Sequence, residues 1–400
     1  MEGGIDVRAG GAVVGKARGE EHLRLFEGAS EGHKGPPRFE TPRDLRTGPG
    51  EGGSYSPIGS LVMVAPMKVR AVLPSFLPVD EIRRRVGPVL PGLDVVEEPL
   101  DRGSFAPEEV EVLILTTFTP LPREVLAHYP ALRFVQVAST GYDAVDLPAC
   151  RDRRIMVSNI PVANSTSVAE HVILLALSLL RDLPRLDRAL REGQWPLLTG
   201  GRDLRGRVFG ILGMGRIGRA LAARLLPFET STIYHDLVPL PRVQEETLGV
   251  TRVDWEDLLG SSEILSVHLP LTPRTRGILG PTELSRLPEG AILINTARGE
   301  LLDMKAVRER VSSGTLRVAL DVYETEPPDF QDPLFQTPGT VFTPHVAGVT
   351  RESQERFVQE TIKNVLRFLQ GKEPLYRVDI EPGSGTGTSL DRPGTSGDGL

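Results

Sequence analysis

Cysteine is nearly absent from this 400-residue chain. Cys150 is the only one, so no intrachain disulfide can form and no cluster of thiols can hold a structural zinc ion. A reducing, cytoplasmic setting is the expectation, with no metal site. Long apolar runs are missing too: the longest, Val172 to Leu180, is too short to span a bilayer and predicts a buried helix. The opening residues, MEGGIDVRAGG, lack a basic region followed by an apolar one, which is not the pattern of a secretory signal. A basic surplus is also lacking. The formal net charge is -7, which offers nothing to a nucleic-acid backbone, so neither nucleic acid nor membrane is expected as a partner.

Glycine is plentiful, and unevenly placed. Residues 1–66 hold a glycine-rich leader, with 14 glycines in the first 60 positions, a composition that buries too little surface to offset chain entropy. Disorder is expected there, and translation from Met63 or Met67 would leave most of it upstream. The tail 381–400, rich in Gly, Pro, Ser and Thr, is likewise expected to be disordered. What lies between exceeds one ordinary core, so two domains are expected.

From Met67 strands alternate with helices: strands at Val69 to Leu73, Leu93 to Glu97, Val110 to Thr117, Leu132 to Ala138 and Ile155 to Ile160, with helices at Val79 to Val86 and near Leu121 to His128. Such alternation means a parallel sheet covered by helices. A helix capped by Ser165 or Thr166 runs to about Arg181 and crosses into a second domain. His171 on it reads as a packed histidine rather than a catalytic one. Residues 184–206 read as a polar connection in which Trp195 is either a subunit contact or locally buried. Further strands follow at Ile264 to Leu269, Ala291 to Asn295, Arg317 to Val322 and Val341 to Thr343, with helices at Asp254 to Leu259, Pro281 to Leu287 and Met304 to Val311. A long amphipathic helix, Glu352 to Leu369, returns to cover the first domain. The expected fold is α/β, two Rossmann-like domains with doubly wound parallel sheets.

The stretch Arg207 to Asp236 organises the second domain. It reads as a strand, the G-x-G-x-x-G turn of Gly213, Gly215 and Gly218, a helix and a second strand. The first glycine permits the tight turn, the second lets backbone approach a pyrophosphate, and the third lets helix and strand pack closely. Asp236, 18 residues past Gly218, can accept hydrogen bonds from an adenine-side ribose. It also favours NAD over NADP, since a carboxylate beside a 2′-phosphate would cost about 1 to 4 kcal/mol at surface-like dielectric. His235 and Arg242 could offset that repulsion.

In an open parallel sheet the ligand lies beyond the carboxyl ends of the strands. Asp236, His268 to Pro270, Thr296 to Arg298, Asp321 and Pro344-His345 all fall there. His345 can exchange a proton with a carbonyl oxygen near neutral pH, Glu326 can orient its ring and favour the protonated form, and Arg298 offers a planar fork to a carboxylate. Taken singly, each also reads as an ordinary solvated residue, an exposed acidic loop or a turn cap.

Seven segments together resemble the D-isomer-specific 2-hydroxyacid dehydrogenase family: VASTGYDAVDL (137–147), NSTSVAEH (164–171), GILGMGRIGRALA (210–222), VHLPLTPRTRGILG (267–280), LINTARGELLD (293–303), ALDVYETEPP (319–328) and TPHVAGVT (343–350). They occur in family order from about Met67 to Val378. The resemblance implies a catalytic set of Arg298, Glu326 and His345. It places Thr140, Arg216, Ile217, Asp236, Pro270, Thr296, Asp321 and Gly348 around an NAD cofactor, beside Gly213, Gly215 and Gly218. Amides of Ser139, Thr140 and Gly141 would bind the substrate carboxylate with Arg298. It further implies an NAD-binding domain, 165–344, inserted in a substrate domain made of 67–164 and 345–380, and a homodimer through the cofactor domain, which favours the subunit-contact reading of Trp195.

The function expected is NAD-dependent oxidation of CH–OH donors, as a D-2-hydroxyacid dehydrogenase or 2-keto acid reductase of the glyoxylate or hydroxypyruvate type. No regulatory domain follows Val378, which disfavours a feedback-controlled phosphoglycerate dehydrogenase. Formate dehydrogenation is disfavoured because those relatives look different at the position of Glu326. The alternative is an NAD(H)-sensing, co-repressor-like binding protein without turnover. Phe76, Phe118 and Tyr142 lie near substrate loops and either shape the pocket or simply pack.

Overall fold

A computed structural model describes residues 67–74, 79–90, 92–97, 106–196 and 200–379. The leader, the tail and Phe76 lie outside the described residues. Short apolar runs form β1 (Val69–Leu73), β2 (Asp94–Glu97), β3 (Val112–Leu115), β4 (Phe134–Val137) and β5 (Met156–Ser158), paired in parallel in the order β2-β1-β3-β4-β5. β1, β3 and β4 are buried along their whole length, as strands covered by helices on both faces must be.

The second sheet comprises β6 (Val208–Leu212), β7 (Ser231–His235), β8 (Val250–Arg252), β9 (Ile264–Val267), β10 (Ala291–Asn295), β11 (Leu316–Leu320) and β12 (Thr340–Phe342). Its order is β12-β11-β10-β9-β6-β7-β8, again all parallel. The order reverses between β6 and β9. That reversal opens a crevice beyond the carboxyl ends of the strands, the place where such sheets take ligands.

Passage between the sheets is made by the Ser165–Leu180 helix, whose Val168, Val172, Leu175 and Leu179 pack into the core of the second sheet. Its first turn departs from the expected cap. Asn164 occupies the N-cap position without a side-chain capping bond, because its Oδ1 lies 2.9 Å from Thr140 Oγ1, and the Ser165 hydroxyl is buried without a hydrogen-bond partner. The expected polar connection after residue 184 is also corrected, since Leu183–Arg191 is a helix. Pro184 sits in its first turn, where the missing N–H costs nothing, and Leu183, Leu186 and Leu190 recur at helical spacing.

After β12 the chain returns to the first sheet. Thr350 and Ser353 exchange backbone and side-chain hydrogen bonds at the start of the Arg351–Leu369 helix. Val365 and Phe368 then enter the first core, with the Phe368 ring stacked 4.8 Å from Phe134. Burying those two side chains is worth about 1.5 to 3 kcal/mol each. Val378 N completes the return by donating to Val157 O at 2.9 Å, beside β5. Among the described residues no helix is long and apolar enough to cross a membrane.

Candidate active site

The glycine turn after β6 is shaped by contact. Gly213 holds φ +98, and a Cβ there would lie 2.8 Å from His268 O; a Cβ on Gly218 would lie 2.3 Å from Gly213 O. Gly215 is different: nothing lies within 4 Å of where its Cβ would be, so the turn presents open backbone at the start of the Arg216–Leu225 helix. Unpaired amides and the positive end of the helix dipole make that opening an anion seat. Asp236 closes one side, its Oδ2 accepting from Met214 N at 2.7 Å and its Oδ1 from Val238 N at 2.9 Å. Each oxygen keeps a lone pair for a ribose hydroxyl. The Thr296 hydroxyl at the end of β10 is buried with no hydrogen-bond partner, an orphan that a ligand in the crevice would satisfy. These features fit a dinucleotide.

His345 follows β12 in a left-handed backbone conformation, φ 55, which costs a non-glycine residue strain and needs support. Asp321 supplies it. Its carboxylate, 1% exposed, accepts from the Val346 and Ala347 amides at 2.9 Å and from the Thr343 hydroxyl, and its carbonyl accepts from His345 N at 2.7 Å. His171 Nε2 lies 3.1 Å from that same hydroxyl, and burial, against the pull of Asp321, pushes its pKa down. It is a packed, uncharged histidine. The His345 ring lies 2.7 Å from Glu326 Oε2 through Nδ1, while Tyr323 N donates to the other Glu326 oxygen at 3.1 Å. Partial burial raises the Glu326 carboxyl, yet the His345 bond and charge, the Tyr323 amide and the Arg298 charge outweigh it and hold it below its ordinary value. Glu326 is therefore an anion throughout the neutral range.

Arg298 lies against the first sheet. A Cβ on Gly141 would stand 1.8 Å from Arg298 Nη2 and 3.0 Å from Thr117 Oγ1, so the guanidinium occupies space that only glycine leaves. The next residue, Phe118, meets the His345 ring edge-on at 5.6 Å. The neighbours Thr117 and Phe118 thus face the Arg298 and His345 sides of one cleft, and the Arg298 charge reaches Glu326. Residues from distant parts of the chain converge here.

Residues 173–347 match the D-isomer specific 2-hydroxyacid dehydrogenase, NAD binding domain. A glyoxylate reductase of Korarchaeum cryptofilum is 34% identical over 280 residues, 68% of this chain and 84% of that protein. The chain belongs to the D-isomer specific 2-hydroxyacid dehydrogenase family. NAD is the cofactor of the matched domain. This family member is also similar to a D-3-phosphoglycerate dehydrogenase of Archaeoglobus fulgidus, 35% identical over 277 residues, and spans about half of it, 52% of its length. Among solved structures, the TT0316 protein from Thermus thermophilus is 33% identical, with a TM-score of 0.68 over 78% of this chain and 99% of that one.

Ile217 packs against the second core, and Arg216 lies over the Tyr376 ring at 5.9 Å. Pro270 is exposed at the end of β9, and Gly348 abuts Asn164. Ser139 Oγ donates to Gly141 O at 3.0 Å, and Asn159 Nδ2 to Thr140 O at 2.7 Å, which orders the 139–141 loop. The buried Asp321 carboxylate takes its hydrogen bonds from Thr343, Val346 and Ala347, on either side of His345. Sequence reasoning missed Asp143, which pairs with Arg298, and the Tyr323 amide on Glu326. Asp143 lies inside the VASTGYDAVDL segment, but only the fold shows what it meets.

Proposed function

We propose that the protein moves a hydride between NAD and C2 of a small 2-keto or D-2-hydroxy acid, with glyoxylate or hydroxypyruvate as the keto substrate. Bound as NADH, the cofactor would supply the hydride for reduction, and as NAD it would accept the hydride in oxidation. The protein supplies the rest. With Nδ1 held by Glu326, His345 turns Nε2 to the substrate, protonating the carbonyl oxygen in reduction and recovering that proton from the alcohol in oxidation. Arg298 and the amides of Ser139, Thr140 and Gly141 seat the carboxylate and fix the carbonyl. Proton transfer contributes about 10² to 10⁴ in rate, and orientation and charge stabilisation the remainder.

The observation that carries this reading is the 2.7 Å Glu326–His345 contact in a cleft that Arg298 shares. The glyoxylate reductase relative, covered over most of its length, supports the substrate class. Gly213, Gly215, Arg216, Ile217 and Gly218 would hold the pyrophosphate, Asp236 the ribose, and Thr140, Pro270, Thr296, Asp321 and Gly348 the remainder of the cofactor's surroundings. Residues 67–164 and 345–380 form the substrate domain in this reading, and 165–344 the cofactor domain. Exposed Leu174, Leu183, Leu190 and Trp195 on that cofactor domain favour a homodimer. Cys150 is buried, its thiol pushed up to about 12 by that burial, which suits a chain working in the cytoplasm.

A panel of 2-keto acids assayed with NADH and NADPH tests the proposal. NADH-dependent reduction of glyoxylate or hydroxypyruvate is expected. Binding of NADH with no turnover of any member would reject it in favour of a nucleotide sensor.

A further inference from the structure

Arg298 is held by a group outside the Arg-Glu-His set. Its Nε and Nη2 reach Asp143 Oδ2 at 2.8 and 2.7 Å, and its Nη1 donates to Ala297 O at 2.6 Å. A guanidinium has five N–H donors in one plane. These contacts use one on each nitrogen. What remains is one N–H on Nη1 and one on Nη2, the two nitrogens at the end of the group. That pair is the fork which takes a carboxylate or a carboxylate oxygen with its adjacent carbonyl.

Asp143 follows β4 in the first sheet, and Arg298 follows β10 in the second. Their side chains are 37% and 25% exposed, so the pair adds little to stability, as half-solvated ion pairs generally do. Its effect falls on geometry. An arginine side chain has many rotamers; two bonds to one carboxylate oxygen fix the plane of the guanidinium where it packs on Gly141. We propose that Asp143 is the positioning residue of Arg298, clamping its inner edge so that its end fork faces the substrate carboxylate. This rests on the function proposed above.

The test compares Asp143→Ala and Asp143→Asn in the otherwise natural protein and in an Arg298→Ala background, reading kcat/KM for glyoxylate and the NADH Kd. Asp143→Ala is expected to lower kcat/KM about 10- to 100-fold without changing NADH binding, as a misplaced orienting group does. Asp143→Asn, nearly isosteric, should fall between. In the Arg298→Ala background the same change should cost no more than about twofold, because the group it acts through is gone. An equal loss in both backgrounds overturns the proposal, as does no loss in the first. Should the natural protein reduce no keto acid, the proposed function fails. Oxalate binding to the NADH complex then decides the clamp: weaker binding by Asp143→Ala supports it, and unchanged, tighter or absent binding overturns it.

Discussion

Replacing Gly141 with alanine isolates the placement of Arg298 from its charge. The new methyl would stand 1.8 Å from Nη2 and 3.1 Å from Cζ, against an ordinary contact of about 3.5 Å. Thr117 Oγ1, 3.0 Å away, blocks the methyl from yielding on the other side. The guanidinium must therefore retreat by about 1.5 Å and surrender its bonds to Asp143. Gly141 is not among the residues with positive φ, so alanine itself is unstrained there and the fold should survive. A displacement of about 1 Å in an orienting group costs about 10² in rate, or about 2.7 kcal/mol of transition-state stabilisation. Steady-state reduction of glyoxylate gives kcat/KM, fluorescence titration gives the NADH Kd, and a melting curve reports the fold. The expected result is a loss of about a hundredfold in kcat/KM at unchanged Kd and Tm. A kcat/KM within about threefold of the parent would refute the placement of Arg298 against Gly141 as catalytically relevant.

His345→Ala should lower turnover by at least about a hundredfold with NADH binding kept, and near-normal turnover would reject its role in proton transfer. Glu326→Gln removes the carboxylate that holds His345 Nδ1 at 2.7 Å, so turnover should fall by about tenfold or more with NADH binding kept; near-parent turnover counts against the pairing. His268 offers a test on stability: burial pushes its pKa down to about 4, while the unfolded imidazole takes a proton near 6.5. Stability should accordingly be lost as pH falls from 6.5 toward 4, by about 3 kcal/mol at most, and less as far as the ring keeps contact with water. Urea titrations of His268→Gln should show a shallower decline across that window, and an identical slope would dismiss the histidine as its source.

Strands such as Val69–Leu73 and Ala291–Asn295 were legible because a buried parallel strand is a short apolar run between polar breaks. The glycine turn was legible because its three positions have unequal steric demands. Leu183–Arg191 was not: a proline and alternating charges resemble a loop until the proline is seen to occupy a first turn. Val250–Arg252, three residues at a sheet edge, is too short for any period to register. His345 and Arg298 could be named from residue type and strand-end position. Their partners were harder. Asp143 lies 155 positions from Arg298, and hydrogen bonds between loops of different sheets leave no local pattern.

The two places where the chain passes between the sheets lie side by side. Ser167 Oγ is 3.0 Å from Thr350 Oγ1, Arg356 Nε donates to Ala163 O at 2.7 Å, and Gly348 rests on Asn164. Twin crossings fastened to one another tie both halves of the molecule at a single seam. His345 sits five residues from Thr350, close to that seam, so the proton donor is anchored where the two halves are joined, while Phe118 and Asp143 reach His345 and Arg298 from the first-sheet side.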